Sequence, residues 1–170
     1  MKKSVLFLCT GNSCRSQMAE AILKKIASDR FNVNSAGSSP ENGKYPETHG
    51  VNPYAYNLLK DNDYSIQGLH SKSWDIFCEN NEDIDFAITL CDKAKMEMDK
   101  NCPVFPGQPM TAHWGVFDPA EAHGPEEKIK RVFRDAFTII KKRIELFISL
   151  PIASLQNLEL QNKLNEIGKV

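Results

Sequence analysis

The stretch that decides the fold is Cys9-Thr10-Gly11-Asn12-Ser13-Cys14-Arg15-Ser16. A short apolar run at residues 4–8 precedes it and is typical of a buried strand. Residues 17–26, which follow, carry apolar side chains at helical spacing. The octet therefore predicts a turn from a strand into a helix, with Gly11 available for backbone angles that other residues resist.

This turn is chemically suited to a tetrahedral anion. Its backbone N–H groups converge at a helix N-terminus, where the helix dipole favours negative charge. Arg15 adds a planar fork of donors that fits an oxyanion in bidentate fashion. Cys9 ends the strand in the same positive field, so we expect its thiolate to be favoured, with Ser16 bonded to the sulfur. The predicted anion site consists of Thr10, Gly11, Asn12, Ser13, Cys14, Arg15 and Ser16.

Composition narrows the class of protein. The chain has 170 residues, about one domain, and its apolar (41%) and charged (25%) fractions are typical of a folded globular protein. A formal net charge of −1 gives no reason to expect nucleic acid or an anionic membrane as a partner. No apolar run approaches the ~20 residues of a membrane span, and the apolar start is interrupted too early for a signal peptide. We therefore expect a cytoplasmic protein whose five cysteines are catalytic or metal-binding rather than paired in structural disulfides.

Short strands alternate with helices along the chain, which predicts a single-domain, three-layer α/β/α fold around a four-stranded parallel sheet. The predicted strands lie at residues 4–8, 31–36, 86–90 and 112–115, and the main helices at 17–26, 53–61 and 126–148. The polar residues 92–101 predict a loop with a helical turn. We expect residues 1–148 to form the domain. Residues 149–170 would form a C-terminal helical extension that packs on this domain or on a partner, in a monomer or weak dimer.

The spacing of Cys9, Arg15 and Ser16 resembles the phosphate loop of the protein tyrosine phosphatases. The fuller string CTGNSCRSQMAE, residues 9–20, resembles the arsenate reductases of the low-molecular-weight branch, whose phosphatases usually carry Pro where this chain has Gln17. The resemblance covers roughly residues 1–148. It implies the low-molecular-weight phosphatase fold, with Rossmann-like topology, and the reduction of arsenate to arsenite.

A second set of motifs, TLCD, NCP and HWGVFDPA, resembles the arsenate reductases coupled to thioredoxin. The resemblance implies that Cys9 attacks arsenate, that Cys91 displaces arsenite by forming a disulfide, and that Cys102 takes this disulfide over. It also implies that Asp118 is the general acid. Position alone places Cys91 at the carboxyl end of a strand, the edge where open α/β sheets bind ligands. The gap between Cys91 and Cys102 is longer than in the best-known members of that group. The external reductant is therefore left open between thioredoxin and glutathione with glutaredoxin.

Two other functions remain open from the residues. Phosphate and arsenate are near-identical anions, so Cys9, Arg15 and Asp118 would also suffice for a phosphatase that hydrolyses phosphomonoesters through a phosphocysteine. A thiol-based redox sensor would keep reactive cysteines but would not need Arg15 and Asp118 together. Instead of a catalytic role, Cys91 could be a buried packing residue in its strand, and Asp118 could be an ordinary turn residue before Pro119.

No bound cofactor and no metal are expected. Cys91, Cys102 and His113 lack recognised zinc-ligand spacing. Some of these reductases bind potassium near the loop, and a serine replaces the carboxylate at one of the matching positions, so no strong potassium site is expected. The matching positions are Asn12, Ser35, Ser71 and Ser73. Cys14 would point along the loop, where a disulfide with Cys9 is an option, or into the core, and Cys78 would be a packing residue.

Overall fold

The computed structural model describes residues 1–40, 43–101 and 103–170. Within these residues, four parallel strands form one sheet in the order β2-β1-β3-β4. The strands are β1 (Lys3–Cys9), β2 (Phe31–Gly37), β3 (Phe86–Thr89) and β4 (Met110–His113). The predicted α/β class and the four-stranded parallel sheet are confirmed, although β4 begins and ends two residues before the predicted strand.

Helices cover the sheet on both faces. They are α1 (Arg15–Ala27), α2 (Pro53–Asp61), α3 (Asp75–Glu79), α4 (Asp92–Asn101), α5 (Glu126–Ile148) and α6 (Asn157–Ile167). Successive side chains of a strand point to opposite faces of the sheet, and β1 shows this directly. Val5 and Phe7 pack in the main core with α1 and α5, whereas Leu6 and Leu8 pack with Trp74 and Phe105.

Residues 92–101 form a regular helix, where the sequence predicted a loop with a helical turn. Periodicity gave no signal, because Ala94 alone among these residues is buried. Local contacts stabilise the helix instead. The sulfur of Cys91 accepts a hydrogen bond from the Ala94 N–H at 3.4 Å, and Lys95 pairs with Asp99 one turn later at 2.8 Å.

The C-terminal helix α6 lies against β4, which is an edge strand. Gln161 Nε2 donates to the Thr111 carbonyl at 2.7 Å, and Trp114 Nε1 donates to the Leu164 carbonyl at 2.9 Å. The apolar side of α6 joins the main core through Leu160, Leu164 and Ile167. The helix therefore covers an otherwise open sheet edge. In the described part of the chain, no helix combines the length and the apolar character that crossing a bilayer requires.

Candidate active site

The loop between β1 and α1 makes a tight turn whose strained residue is Asn12. Its φ of 52° lies in the left-handed region, whereas the φ of Gly11 is not positive, contrary to the sequence-based expectation. Asn is among the few residues that tolerate this conformation, because its side chain can bond locally. The turn aims the Asn12 N–H at the sulfur of Cys9, 3.2 Å away.

The Asn12 side chain supports the loop from behind. Its Nδ2 donates to Ser16 Oγ at 2.7 Å and to Ser35 Oγ at 2.9 Å, and its Oδ1 accepts from the Lys72 N–H at 3.0 Å. Ser71 Oγ donates to the Gly11 carbonyl at 2.9 Å. These bonds fix the loop to α1, to β2 and to the segment before α3.

Sequence reasoning missed a buried ion pair under this brace. Glu20 on α1 accepts from Ser35 Oγ at 2.8 Å and from Lys24 at 2.6 Å, and Lys72 Nζ lies 3.6 Å from it. Burial lowers the pKa of Lys72, and the Glu20 carboxylate opposes that shift. Glu20 follows Ser16 by one helical turn on the inward side of α1. This spacing was the one sequence signal that Glu20 faces the octet.

The nucleophile candidate Cys9 is deeply buried, with 3% of its surface exposed. Burial raises the pKa of its thiol, and a negative charge on Cys91 would add to this effect. The Ser16 hydroxyl, 2.8 Å from the sulfur, and the Arg15 charge lower the pKa, but less than burial raises it. The expectation that the thiolate of Cys9 is favoured is therefore wrong, because desolvation outweighs these contacts.

Arg15 and Asp118 lie on the same side of the loop. Arg15 Nη1 donates to the Val116 carbonyl at 2.9 Å, and its Nη2 lies 3.7 Å from Asp118 Oδ2. The other carboxylate oxygen of Asp118 accepts from the Ala120 N–H at 3.0 Å, which caps the short 3₁₀ turn Pro119–Glu121. The capping bond and the Arg15 contact together orient the carboxylate.

Cys91 lies at the start of α4, beside the loop. Its sulfur is 3.3 Å from Thr10 Oγ1, and the residue is 6% exposed. Cys91, Cys9 and Ala94 form a small buried cluster of their own. His113 contacts the next residue, since its Nε2 lies 2.9 Å from Asp92 Oδ1. Cys102, the third predicted relay residue, lies outside the described residues.

One cavity of about 820 Å³ joins these parts. Cys9, Arg15, Cys91 and Asp118 all line it. Of the predicted anion-site residues, Thr10, Gly11, Ser13, Cys14 and Arg15 line the cavity, whereas the buried Asn12 and Ser16 support the loop from behind. Its remaining walls include Lys44, Tyr45, Lys93, His113, Phe117 and Gly168.

The other cysteines are placed differently. Cys14 packs in the main core, and burial raises the pKa of its thiol to about 12. The thiols of Cys9 and Cys14 are both free in this structure. Cys78 is partly buried and packs against the cluster around Trp74. Across residues 1–40, 43–101 and 103–170, no three His, Cys, Asp or Glu side chains are grouped so that they could hold a metal ion.

Comparison with known proteins identifies the family. The sequence model described as low molecular weight phosphotyrosine protein phosphatase matches residues 4–162. The arsenate reductase of Oceanobacillus iheyensis and arsenate reductase 1 of Staphylococcus haemolyticus are each 42% identical over 146 residues, which is 86% of this chain and 95% of theirs. A solved structure of an arsenate reductase in the phosphate binding state superposes with a TM-score of 0.60 at 26% identity, covering 86% of this chain and 97% of that one. The chain therefore belongs to the low molecular weight phosphotyrosine protein phosphatase family.

Proposed function

We propose that this protein is an arsenate reductase that uses a cysteine–arsenate adduct and a disulfide relay. One observation carries the proposal: a second buried thiol, Cys91, lines the same cavity as the oxyanion loop and its Cys9. Hydrolysis of a phosphate ester needs one nucleophilic sulfur. Reduction of arsenate needs a second sulfur, which bonds to the first one while the electron pair of the S–As bond stays on arsenic. The two relatives named arsenate reductase, which match most of the chain, support the same conclusion.

In the first step, the loop N–H groups and Arg15 hold arsenate against the sulfur of Cys9. Because burial raises the pKa of Cys9, the thiol proton passes to an arsenate oxygen as the sulfur attacks. An S–As bond forms, and one As–O bond breaks. The departing hydroxide leaves as water with a proton from Asp118.

In the second step, the sulfur of Cys91 attacks the sulfur of Cys9, and its proton passes to an oxygen of the departing arsenic group. An S–S bond forms, and the S–As bond breaks with its electron pair remaining on arsenic. Arsenic(V) is thereby reduced to arsenic(III), which leaves as arsenite, and the two sulfurs are oxidised to a disulfide. The shared cluster with Ala94 keeps the two cysteines together for this step.

In the third step, Cys102 attacks the sulfur of Cys91, which forms a Cys91–Cys102 disulfide and returns Cys9 to its thiol. An external thiol, thioredoxin or glutathione with glutaredoxin, then reduces that disulfide and completes the cycle. This step requires α4 to open. Its ten residues span about 15 Å as a helix, and the Cα atoms of a disulfide lie within about 7 Å of each other.

A phosphatase activity is the second candidate, because Cys9, Arg15 and Asp118 occur together in a chain of this family. Hydrolysis of a phosphocysteine needs no second sulfur. The same three residues would therefore hydrolyse simple aryl phosphates, as a side activity that reports on the loop independently of Cys91.

A single-turnover experiment tests the main proposal. Reduced protein is mixed with arsenate without any external thiol, and arsenite and p-nitrophenyl phosphate hydrolysis are measured separately. We expect about one arsenite per chain from the unaltered protein, none from Cys91→Ser, and unchanged ester hydrolysis in that variant. Cys78→Ser, outside the cavity, is the matched control and retains both activities. Arsenite formation by Cys91→Ser at the normal rate would contradict the relay.

A further inference from the structure

A second arginine, Arg143 on α5, is buried behind the segment that carries Asp118. Only 7% of its surface is exposed. Its Nη1 donates to two successive backbone carbonyls, Trp114 at 2.8 Å and Gly115 at 3.0 Å, and its Nη2 donates to the Val170 carbonyl at 3.2 Å. The guanidinium thus joins three separate parts of the chain: α5, the segment after β4, and the residues after α6.

The contacts continue from Arg143 to the cavity without a break. The carbonyls of residues 114 and 115 bind Arg143, and the next carbonyl, of Val116, binds Arg15 at 2.9 Å. The Val116 N–H in turn donates to the Leu90 carbonyl at 3.0 Å. Two arginines on two helices therefore hold three consecutive carbonyls, and Asp118 follows two residues later.

The residues around α6 hold the same segment from the other side. Trp114 Nε1 donates to the Leu164 carbonyl at 2.9 Å. Gly168 lies so close to the His113 carbonyl that a Cβ there would overlap the carbonyl oxygen. Gly168 also lines the active-site cavity, although it lies beyond residue 162, where the family match ends. Both sides of the segment are therefore fixed.

Placing a guanidinium here is unfavourable by itself. Burial lowers the pKa of Arg143, and its Nε, which is also buried, has no hydrogen-bond partner among the described residues. A buried donor without a partner costs free energy, so a simpler apolar residue would pack here at lower cost. A methionine or leucine, however, would not supply the forked N–H donors that bond the three backbone carbonyls.

We propose that Arg143 is a positioning residue for the proton donor: it fixes the backbone of residues 114–116 so that Asp118 faces the leaving oxygen. The inference rests on the proposed function, in which Asp118 protonates the departing hydroxide. Misplacement of a catalytic group by about 1 Å can cost as much as 10²-fold in rate. Arg143 touches neither the loop sulfur nor the anion, so its effect passes through Asp118.

A double-mutant cycle tests this. Arg143→Met, Asp118→Asn and the double variant are compared with the unaltered protein by single-turnover arsenite formation and by p-nitrophenyl phosphate hydrolysis. We expect Arg143→Met to lower kcat about tenfold with KM changed less than about twofold, and Asp118→Asn to lower kcat by about 10²-fold. Adding Arg143→Met to Asp118→Asn should then lower kcat no further.

Two variants keep the test interpretable. Arg143→Lys retains the charge and most of the packing but lacks the forked donors that bridge the carbonyls. It should therefore fold even where Arg143→Met does not. It should lower kcat less than Arg143→Met does, and this loss of kcat should also vanish in the Asp118→Asn background. Arg131→Met removes an exposed arginine of the same helix and should leave kcat unchanged. Thermal unfolding of each variant is measured alongside.

The outcomes separate this inference from the proposed function. A full, multiplicative loss in the double variant would overturn the positioning role, because Arg143 would then act on the whole fold. An Asp118→Asn variant with normal kcat would remove Asp118 as the proton donor and this inference with it. A protein that forms no arsenite refutes the reductase proposal, yet the same cycle in ester hydrolysis still decides the role of Arg143.

Discussion

We expect opening of α4 to limit the rate of the third step in the proposed relay, so a substitution at a single exposed residue should change that rate. Met96 lies in the middle of α4 and is 69% exposed, so its side chain contributes little packing. Met96→Gly lowers helix stability by about 1 kcal/mol relative to Met96→Ala. If the helix must open before the thiols of Cys91 and Cys102 meet, this difference raises the open population and the rate by about fivefold.

Rapid quenching with an alkylating reagent, followed by mass spectrometry, measures that rate. The decay of the Cys9–Cys91 disulfide and the appearance of Cys91–Cys102 are followed after one turnover with arsenate. Met96→Ala is the matched control, because it removes the same side chain and keeps the helix propensity. Equal rates for the two variants, or a slower Met96→Gly, would refute the argument that α4 opens during the relay.

Three further outcomes follow from the contacts around the loop. Ser16→Ala removes the hydroxyl that favours the Cys9 thiolate, so the pKa of Cys9 rises further and alkylation of Cys9 at neutral pH slows by up to about tenfold; faster alkylation would contradict this. Burial raises the pKa of Cys14 from 9.0 to about 12, so the folded protein keeps a proton that the unfolded chain loses. Stability is therefore lost as pH rises above 9, by about 1 kcal/mol at pH 10, and urea unfolding should show a smaller loss in Cys14→Ala. Gly168→Ala forces a Cβ onto a backbone oxygen and should cost about 1–3 kcal/mol in thermal unfolding, whereas Gly43→Ala, whose Cβ would meet no atom of the described residues within 4 Å, should cost almost nothing.

Sequence reasoning located the strands and the loop because these features are local. The run before Cys9 is apolar without interruption, and the turn and the helix follow it directly. It failed for α4, whose stability comes from a sulfur cap and an ion pair rather than from an apolar stripe. It also assigned the special backbone angle to Gly11, whereas four hydrogen bonds of Asn12 place it one residue later.

The supports of the site could not be predicted, because they join residues far apart in the chain. Lys72 meets Glu20 across 52 positions, and Arg143 meets Trp114 across 29. The sequence indicates that Glu20 faces the octet, but it contains no sign of the distant residues with which Glu20 and Trp114 pair. The raised pKa of Cys9 was missed for a related reason: donors such as Arg15 can be identified in the octet, but the depth of burial that outweighs them depends on the assembled fold.

The raised pKa of Cys9 bears on how readily its sulfur is oxidised by peroxides. Peroxides attack thiolates far faster than thiols, and exposed sulfurs far faster than enclosed ones. A buried sulfur with a raised pKa should react slowly with such oxidants. We therefore expect Cys9 to resist irreversible overoxidation, and its attack to depend on the substrate to take up the proton.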